Sequence, residues 1–247
     1  MGGTAGMGWA AAKKFVEEGA HVICVGKPQE TPIAAEHITT FFADARASDT
    51  MRKAIDLCLE KYGSFDGLMH VAGGSGRAFG DGPLDQMSLE GWNETMALNA
   101  TTVMLSNKAA IDYFIQHKKS GSIVNLSSVL ATHPVPGFFS THAYAAAKAA
   151  IIGLSTTTAA YYAKNNIRIN VISPGLVETP MSTRAAQNEN IMSYIKTKQP
   201  LDGGRIGHVN DVTSLAALLL SDQTSFITGQ NIAVDGGWSV SEGQMAQ

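Results

Sequence analysis

The 247-residue sequence predicts a three-layer, doubly wound α/β fold with a mostly parallel sheet. Three observations carry that expectation. Short apolar runs rich in β-branched residues alternate along the chain with longer segments of helical period. The runs end in small or polar residues, as at Gly26-Lys27, Asp44, Ala72-Gly73-Gly74, Ser127-Ser128 and Asp235-Gly236-Gly237, which gathers chemistry at one rim of the sheet. A glycine-rich turn, Met1 to Gly8, leads straight into a helix, where free N–H groups and the helix dipole favour a pyrophosphate.

Composition narrows the function classes. With 45% apolar and 16% charged residues the chain can bury a sizeable core, and its length suits one domain spanning 1–247. A net charge of −3 and no basic run longer than Lys118-Lys119 argue against nucleic acid and an anionic membrane surface. No apolar stretch reaches the roughly 18 residues of a membrane span. Cys24 and Cys58 have no paired spacing, so a reducing, cytoplasmic setting is expected, with no metal.

Taken in order, residues 9–18 carry Ala11, Ala12, Phe15 and Val16 at helical period against Lys13, Lys14, Glu17 and Glu18, and Gly19 closes the helix. A dinucleotide fingerprint should follow a strand, and no strand precedes Gly2. Residues 21–25 form the next strand, ending at Lys27. A carboxylate there would bind a ribose 2′-hydroxyl; a lysine instead favours the 2′-phosphate of NADP(H), or else is merely solvated, with NAD(H) still possible. Two prolines make the crossover over residues 28–40 short or irregular. Residues 41–44 end a strand at Asp44, a candidate for the adenine amino group. Residues 48–62 form a helix with Ser48 as its N-cap, and residues 65–71 a buried strand.

Ser88 opens a long helical stretch to Lys118 with Asn99 in an apolar middle. A buried asparagine there is either a structural pin or part of a proton-conducting chain. Residues 123–126, bounded by Gly121, form a strand ending in Ser127 and Ser128, and residues 143–154 form an alanine-dense helix. On it Tyr144 and Lys148 stand four apart and share a face. An ammonium beside a phenol lowers its pKa by stabilising the phenolate, which suits proton exchange with an alcohol or carbonyl oxygen. A strand-end serine can hold that oxygen. Residues 167–172 give another strand. Residues 180–200 are polar, with scattered Met192, Tyr194 and Ile195, and read as a mobile substrate flap more than a core helix. Val209–Leu220 is an amphipathic helix and residues 230–234 the last strand.

These pieces, in this order and spacing, resemble the short-chain dehydrogenase/reductase family over essentially the whole chain. The likeness rests on Gly2, Gly6 and Gly8, Asp44, Ala72-Gly73, Asn99, Ser128, Tyr144-x-x-x-Lys148, Pro174-Gly175 and the closing run from Pro200 to Gly237. It implies a Rossmann fold, a homotetramer, and hydride transfer between NAD(P)(H) and a small to medium alcohol or carbonyl compound. Tyr144 would be the acid or base, Lys148 would lower its pKa and hold the nicotinamide ribose, Ser128 (with Ser127 as rival) would orient the substrate, and Asn99 would continue the proton relay. Gly2, Thr4, Gly6 and Met7 would lie near the pyrophosphate, Lys27 near a 2′-phosphate, Asp44 and Ala45 near adenine, Ala72 and Gly73 against the flat ring and ribose, and Pro174, Gly175, Val177 and Thr179 near the carboxamide end. The alternative is a catalytically idle nucleotide-binding scaffold or redox sensor.

Three departures accompany the likeness. The family's first, mid-sheet strand is absent from the sequence, with Met1 where threonine is usual. His70-Val71 replaces a pair of asparagines. The spacing from Ser128 to Tyr144 is about three residues longer than usual, with the excess at residues 133–139, expected as an apolar pocket wall. His133 there either contacts substrate or is solvated.

Overall fold

All six strands among the described residues run parallel, in the order expected of alternating βα units. The computed structural model describes residues 1–28 and 35–244, so residues 29–34 of the predicted irregular crossover lie outside the described residues. The strands are β1 (Val22–Gly26), β2 (Ile38–Phe42), β3 (Gly67–His70), β4 (Gly121–Leu126), β5 (Ile167–Pro174) and β6 (Asn231–Val234). They form a pair, β1-β2, and a set of four, β3-β4-β5-β6. The helices are α1 (Gly6–Glu17), α2 (Thr50–Tyr62), α3 (Leu89–Met96), α4 (Thr102–Gln116), α5 (His142–Tyr162), α6 (Thr183–Ala186), α7 (Glu189–Lys198) and α8 (Val209–Leu220).

Strand pleating divides the core. Ile123 packs into a cluster with Met51, Ile55, Ile111 and Phe114 of α2 and α4, while its neighbour Val124 joins Ala11 of α1 and Val212, Ala216 and Leu219 of α8 on the other face. Both residues are fully buried, as the run of β-branched residues in a strand covered on two sides demands.

β1 and β3 face each other across a cavity of about 530 Å³. The odd-numbered residues of both strands turn their backbone groups toward it, and the chain start bonds to both sides. The Met1 nitrogen donates to the Met69 carbonyl, the Met1 carbonyl accepts from Val71 and Ala72, and Gly2 and Gly3 both donate to the Val25 carbonyl.

Several boundaries differ from the sequence reading. Asp49, not Ser48, precedes α2, without a side-chain cap bond. α5 continues through Gly153 to Tyr162 because one glycine costs a helix only ~1 kcal/mol and Ile151, Ser155 and Ala159 are buried along its inner face. Within the 180–200 segment, residues 189–198 form a helix whose Ile191 and Ile195 are fully buried against Val129, Val135 and Trp238. No helix among the described residues is long and apolar enough to cross a membrane.

Candidate active site

The first turn of α5 is set by a residue from a distant loop. Thr141 precedes the helix with no side-chain cap bond. Instead Asp81, only 5% exposed, accepts from the Ala143 N–H with Oδ1 and from the Tyr144 N–H with Oδ2, both at 2.9 Å. A carboxylate on two orphan N–H groups also complements the helix dipole. It thereby fixes where Tyr144 leaves the helix.

One turn on, Lys148 is 4% exposed, donates through Nζ to the Leu126 carbonyl at 2.9 Å, and stands 5.6 Å from the Tyr144 ring centroid. The two strand-end serines divide. Ser127 donates to the Lys148 carbonyl at 2.8 Å and joins β4 to α5. Ser128 accepts from the Leu130 N–H at 3.2 Å and lines the same cavity as Tyr144. Burial pushes the Tyr144 phenol above its ordinary range, with the nearby Ser128 hydroxyl opposing it, and burial lowers the Lys148 ammonium to about 8. The expected lowering of the phenol by Lys148 is therefore not what dominates here. The ammonium is turned onto a carbonyl, and desolvation holds the phenol in its protonated, proton-donating form.

Asn99 sits in a wide five-residue π turn, Ala97–Thr101, between α3 and α4. Its Oδ1 accepts from Gly74 N–H at 3.1 Å, and its Nδ2 donates to the carbonyls of Gly74 and Thr95 at 3.0 and 2.9 Å. It is a pin for the loop after β3. A Cβ on Gly73 would fall 2.6 Å from Asn99 Oδ1 and 3.6 Å from Lys148 Nζ, so glycine is what lets these three residues converge.

Tyr144 and Ser128 line a cavity of about 320 Å³ at the carboxyl rim of the strands, together with Met7, Pro174, Gly175, Val177 and Thr179. That set brings Tyr144 and Ser128 together with the residues expected at the carboxamide end. Farther along the rim, no side chain caps α1, whose first-turn N–H groups follow Gly2 and Gly6. Gly6 has φ +50, and a Cβ there would meet nothing nearer than 3.7 Å. The donors, the open approach and the continuous rim fit a dinucleotide.

The other predicted contacts are more committed than the sequence suggests. Thr4 donates to the Lys27 carbonyl at 3.1 Å and so ties the glycine turn to β1, while Lys27 itself is exposed. Ala72 donates to the Met1 carbonyl, and Ala45 packs against the core. Both carboxylate oxygens of Asp44 accept from Arg46, and that bond holds the Asp44 pKa at about 2. His70 is fully buried and bonds Ser106 at 2.6 Å, so it ties β3 to α4. Burial keeps its imidazole neutral. His133 is exposed and bonds its neighbour Thr132, while its carbonyl accepts from the Trp238 indole at 3.1 Å. The long loop is an apolar wall through Phe139, whose ring meets Trp238 edge-on and lines the cavity.

Sequence reasoning missed Asp81, Arg46 and Gln199. Gln199 Oε1 accepts from the Leu176 N–H at 2.6 Å and supports the loop after β5. Asp81 lies 62 positions from its partner, where no local pattern reaches; the lack of a capping side chain at the α5 start was the available clue.

Comparison with known proteins finds likeness over nearly the whole chain. A family profile described as "Enoyl-(Acyl carrier protein) reductase" matches residues 2–239. The 2,5-dichloro-2,5-cyclohexadiene-1,4-diol dehydrogenase LinX of Sphingobium indicum is 32% identical over 97% of this chain and 94% of its own. A short-chain type dehydrogenase/reductase from Mycobacterium ulcerans superposes with a TM-score of 0.86 at 31% identity, covering 98% of this chain and 89% of that one. A 4-hydroxyisoleucine dehydrogenase complexed with NADH gives a TM-score of 0.83 at 31% identity, covering 96% of each chain.

Proposed function

Because the chain belongs to the short-chain dehydrogenase/reductase family, we propose that it transfers a hydride between a nicotinamide dinucleotide and a small to medium alcohol or carbonyl compound. The observation that carries this is the meeting of Tyr144 and Ser128 with the carboxamide-end residues in one cavity, with Lys148 one turn below. When bound, the nicotinamide supplies or accepts the hydride. The protein's own residues do the rest. Ser128 and Tyr144 hydrogen-bond the substrate oxygen, and Tyr144 gives it a proton in reduction or takes one in oxidation. Lys148 supplies the nearby positive charge that steadies the tyrosinate. Asn99 pins the loop after β3 through Gly74, where the backbone would leave room for a bound nicotinamide. The apolar wall from Val129, Leu176 and Trp238 would keep water from the cavity beside Tyr144.

Lys27 supports a preference for NADP(H) over NAD(H), and the family likeness supports a homotetramer. The alternative, an idle scaffold or redox sensor, would bind the same nucleotide without consuming it. Near-ultraviolet absorbance of NADH and NADPH, followed with a panel of ketones and alcohols, separates the two readings. Substrate-dependent loss or gain of reduced cofactor supports the enzyme; cofactor binding with no turnover across the panel refutes it. Lys27→Glu is expected to lower the NADPH-over-NADH ratio of kcat/KM by about tenfold through charge repulsion with the 2′-phosphate.

A further inference from the structure

Arg77 and Arg184 are the only charged side chains on the wall of the Tyr144 cavity among the described residues, and both are positive. They come from different elements. Arg77 lies in the 3-10 turn after β3, and Arg184 in α6. They are close enough to repel one another. Arg77 donates one N–H to the Phe138 carbonyl at 3.2 Å, bridging to the long loop after β4, and feels the attraction of Asp81. Asp81 itself is turned onto the α5 backbone, and no carboxylate forms an ion pair with either guanidinium among the described residues. The rest of the wall is mostly apolar, with Met7, Leu130, Phe139, Leu176, Met181 and Trp238. Two unneutralised like charges facing one partly apolar cavity create a positive potential there, which an anion relieves.

We propose that the substrate is a carbonyl or alcohol compound with an apolar body and an oxyanionic group, which Arg77 and Arg184 bind while Tyr144 and Ser128 hold the reacting oxygen. This rests on the function proposed above and adds the substrate class. Guanidinium groups match the geometry of carboxylate and phosphate oxygens, and their N–H donors not engaged at Phe138 point to that chemistry.

The test compares ketones of one shape and different charge: 4-acetylbenzoate, 4-acetylphenyl phosphate, neutral 4-acetylbenzamide and a cationic 4-acetylbenzyltrimethylammonium salt. The oxyanions are expected to exceed the amide in kcat/KM by on the order of tenfold, a margin that shrinks as ionic strength rises. Whichever oxyanion leads identifies the group. Arg184→Glu, on an exposed short helix, should abolish that margin and favour the cationic ketone, with Arg77→Glu acting the same way. An inversion of charge preference is a readout that mere loosening of α6 would not give. The proposal is overturned if the amide matches both oxyanions, if Arg184→Glu leaves the ratio unmoved, or if the loss appears in the KM for the cofactor. Should no ketone be turned over, calorimetric titration with 4-acetylbenzoate decides: binding that Arg184→Glu removes keeps the anion site while the oxidoreductase reading fails, and no binding overturns the anion site too.

Discussion

A lysine buried to 4% exposure with one hydrogen bond costs the fold stability at neutral pH. Lys148 titrates at about 8 in the folded chain and near 10.5 when exposed. Between those values the unfolded chain binds more protons, so the Lys148 contribution to stability rises with pH across that window and is most unfavourable below about 8. Lys148→Met should therefore stabilise the unliganded protein by about 1–3 kcal/mol at neutral pH. The difference should fade toward pH 10.5, as urea unfolding at several pH values would show. The Tyr144 phenol, raised by burial, stays protonated at neutral pH. Carbonyl reduction should accordingly hold its rate through neutral pH, while alcohol oxidation climbs as pH rises; a bell with an optimum below neutral in both directions would argue against Tyr144 as the titrating group. The Tyr144 and Lys148 pair is legible in sequence because a spacing of four on a helix is a local fact. Their electrostatics are not, because desolvation depends on the elements that close over them.

At the scale of elements, the capping of α5 by Asp81 joins the loop after β3 to the helix that carries Tyr144. Asp81→Ala removes both acceptors and should destabilise the fold by about 1–2 kcal/mol, as loss of a helix cap does. Its effect on catalysis should fall on kcat more than on KM, since it shifts the phenol and not the walls; Asp81→Asn, retaining one acceptor, should recover part of both. Equal losses with a proportional fall in folded protein would make Asp81 structural alone. The helices and strands whose apolar period runs unbroken, such as α8 and β4, are readable almost to the residue. α7 is not, because its buried Ile191, Tyr194 and Ile195 are spaced among polar residues and meet their partners, Val129 and Trp238, only through tertiary packing. The π turn at Asn99 is likewise invisible to a periodicity argument, although the oddity of an asparagine in that apolar segment marks the place.

For the whole molecule, the sheet is divided. β1-β2 and β3-β4-β5-β6 are joined through Met1–Gly3 backbone bonds and through the helices packed on both faces. The β1–β2 and β3–β4 registers turn Ile23, Val25 and Met69 toward the cavity between the two parts. The doubly wound class was legible because strands alternate with helices and end in small residues at one rim. The bonds that Met1, Gly2 and Gly3 make to β1 and to β3 and the loop after it depend on the three-dimensional register and were not legible.

The central claim is that the Tyr144 hydroxyl moves the substrate's proton in a site built beside a nicotinamide. Tyr144→Phe, compared with the unaltered protein for both cofactor affinity and the rate of reduced-cofactor consumption on a productive ketone, tests it most directly. Cofactor affinity within about twofold and a rate lower by at least 10²–10⁴-fold, the usual worth of a positioned proton donor, is the result this account predicts. A variant that still consumes reduced cofactor at the original rate would contradict it.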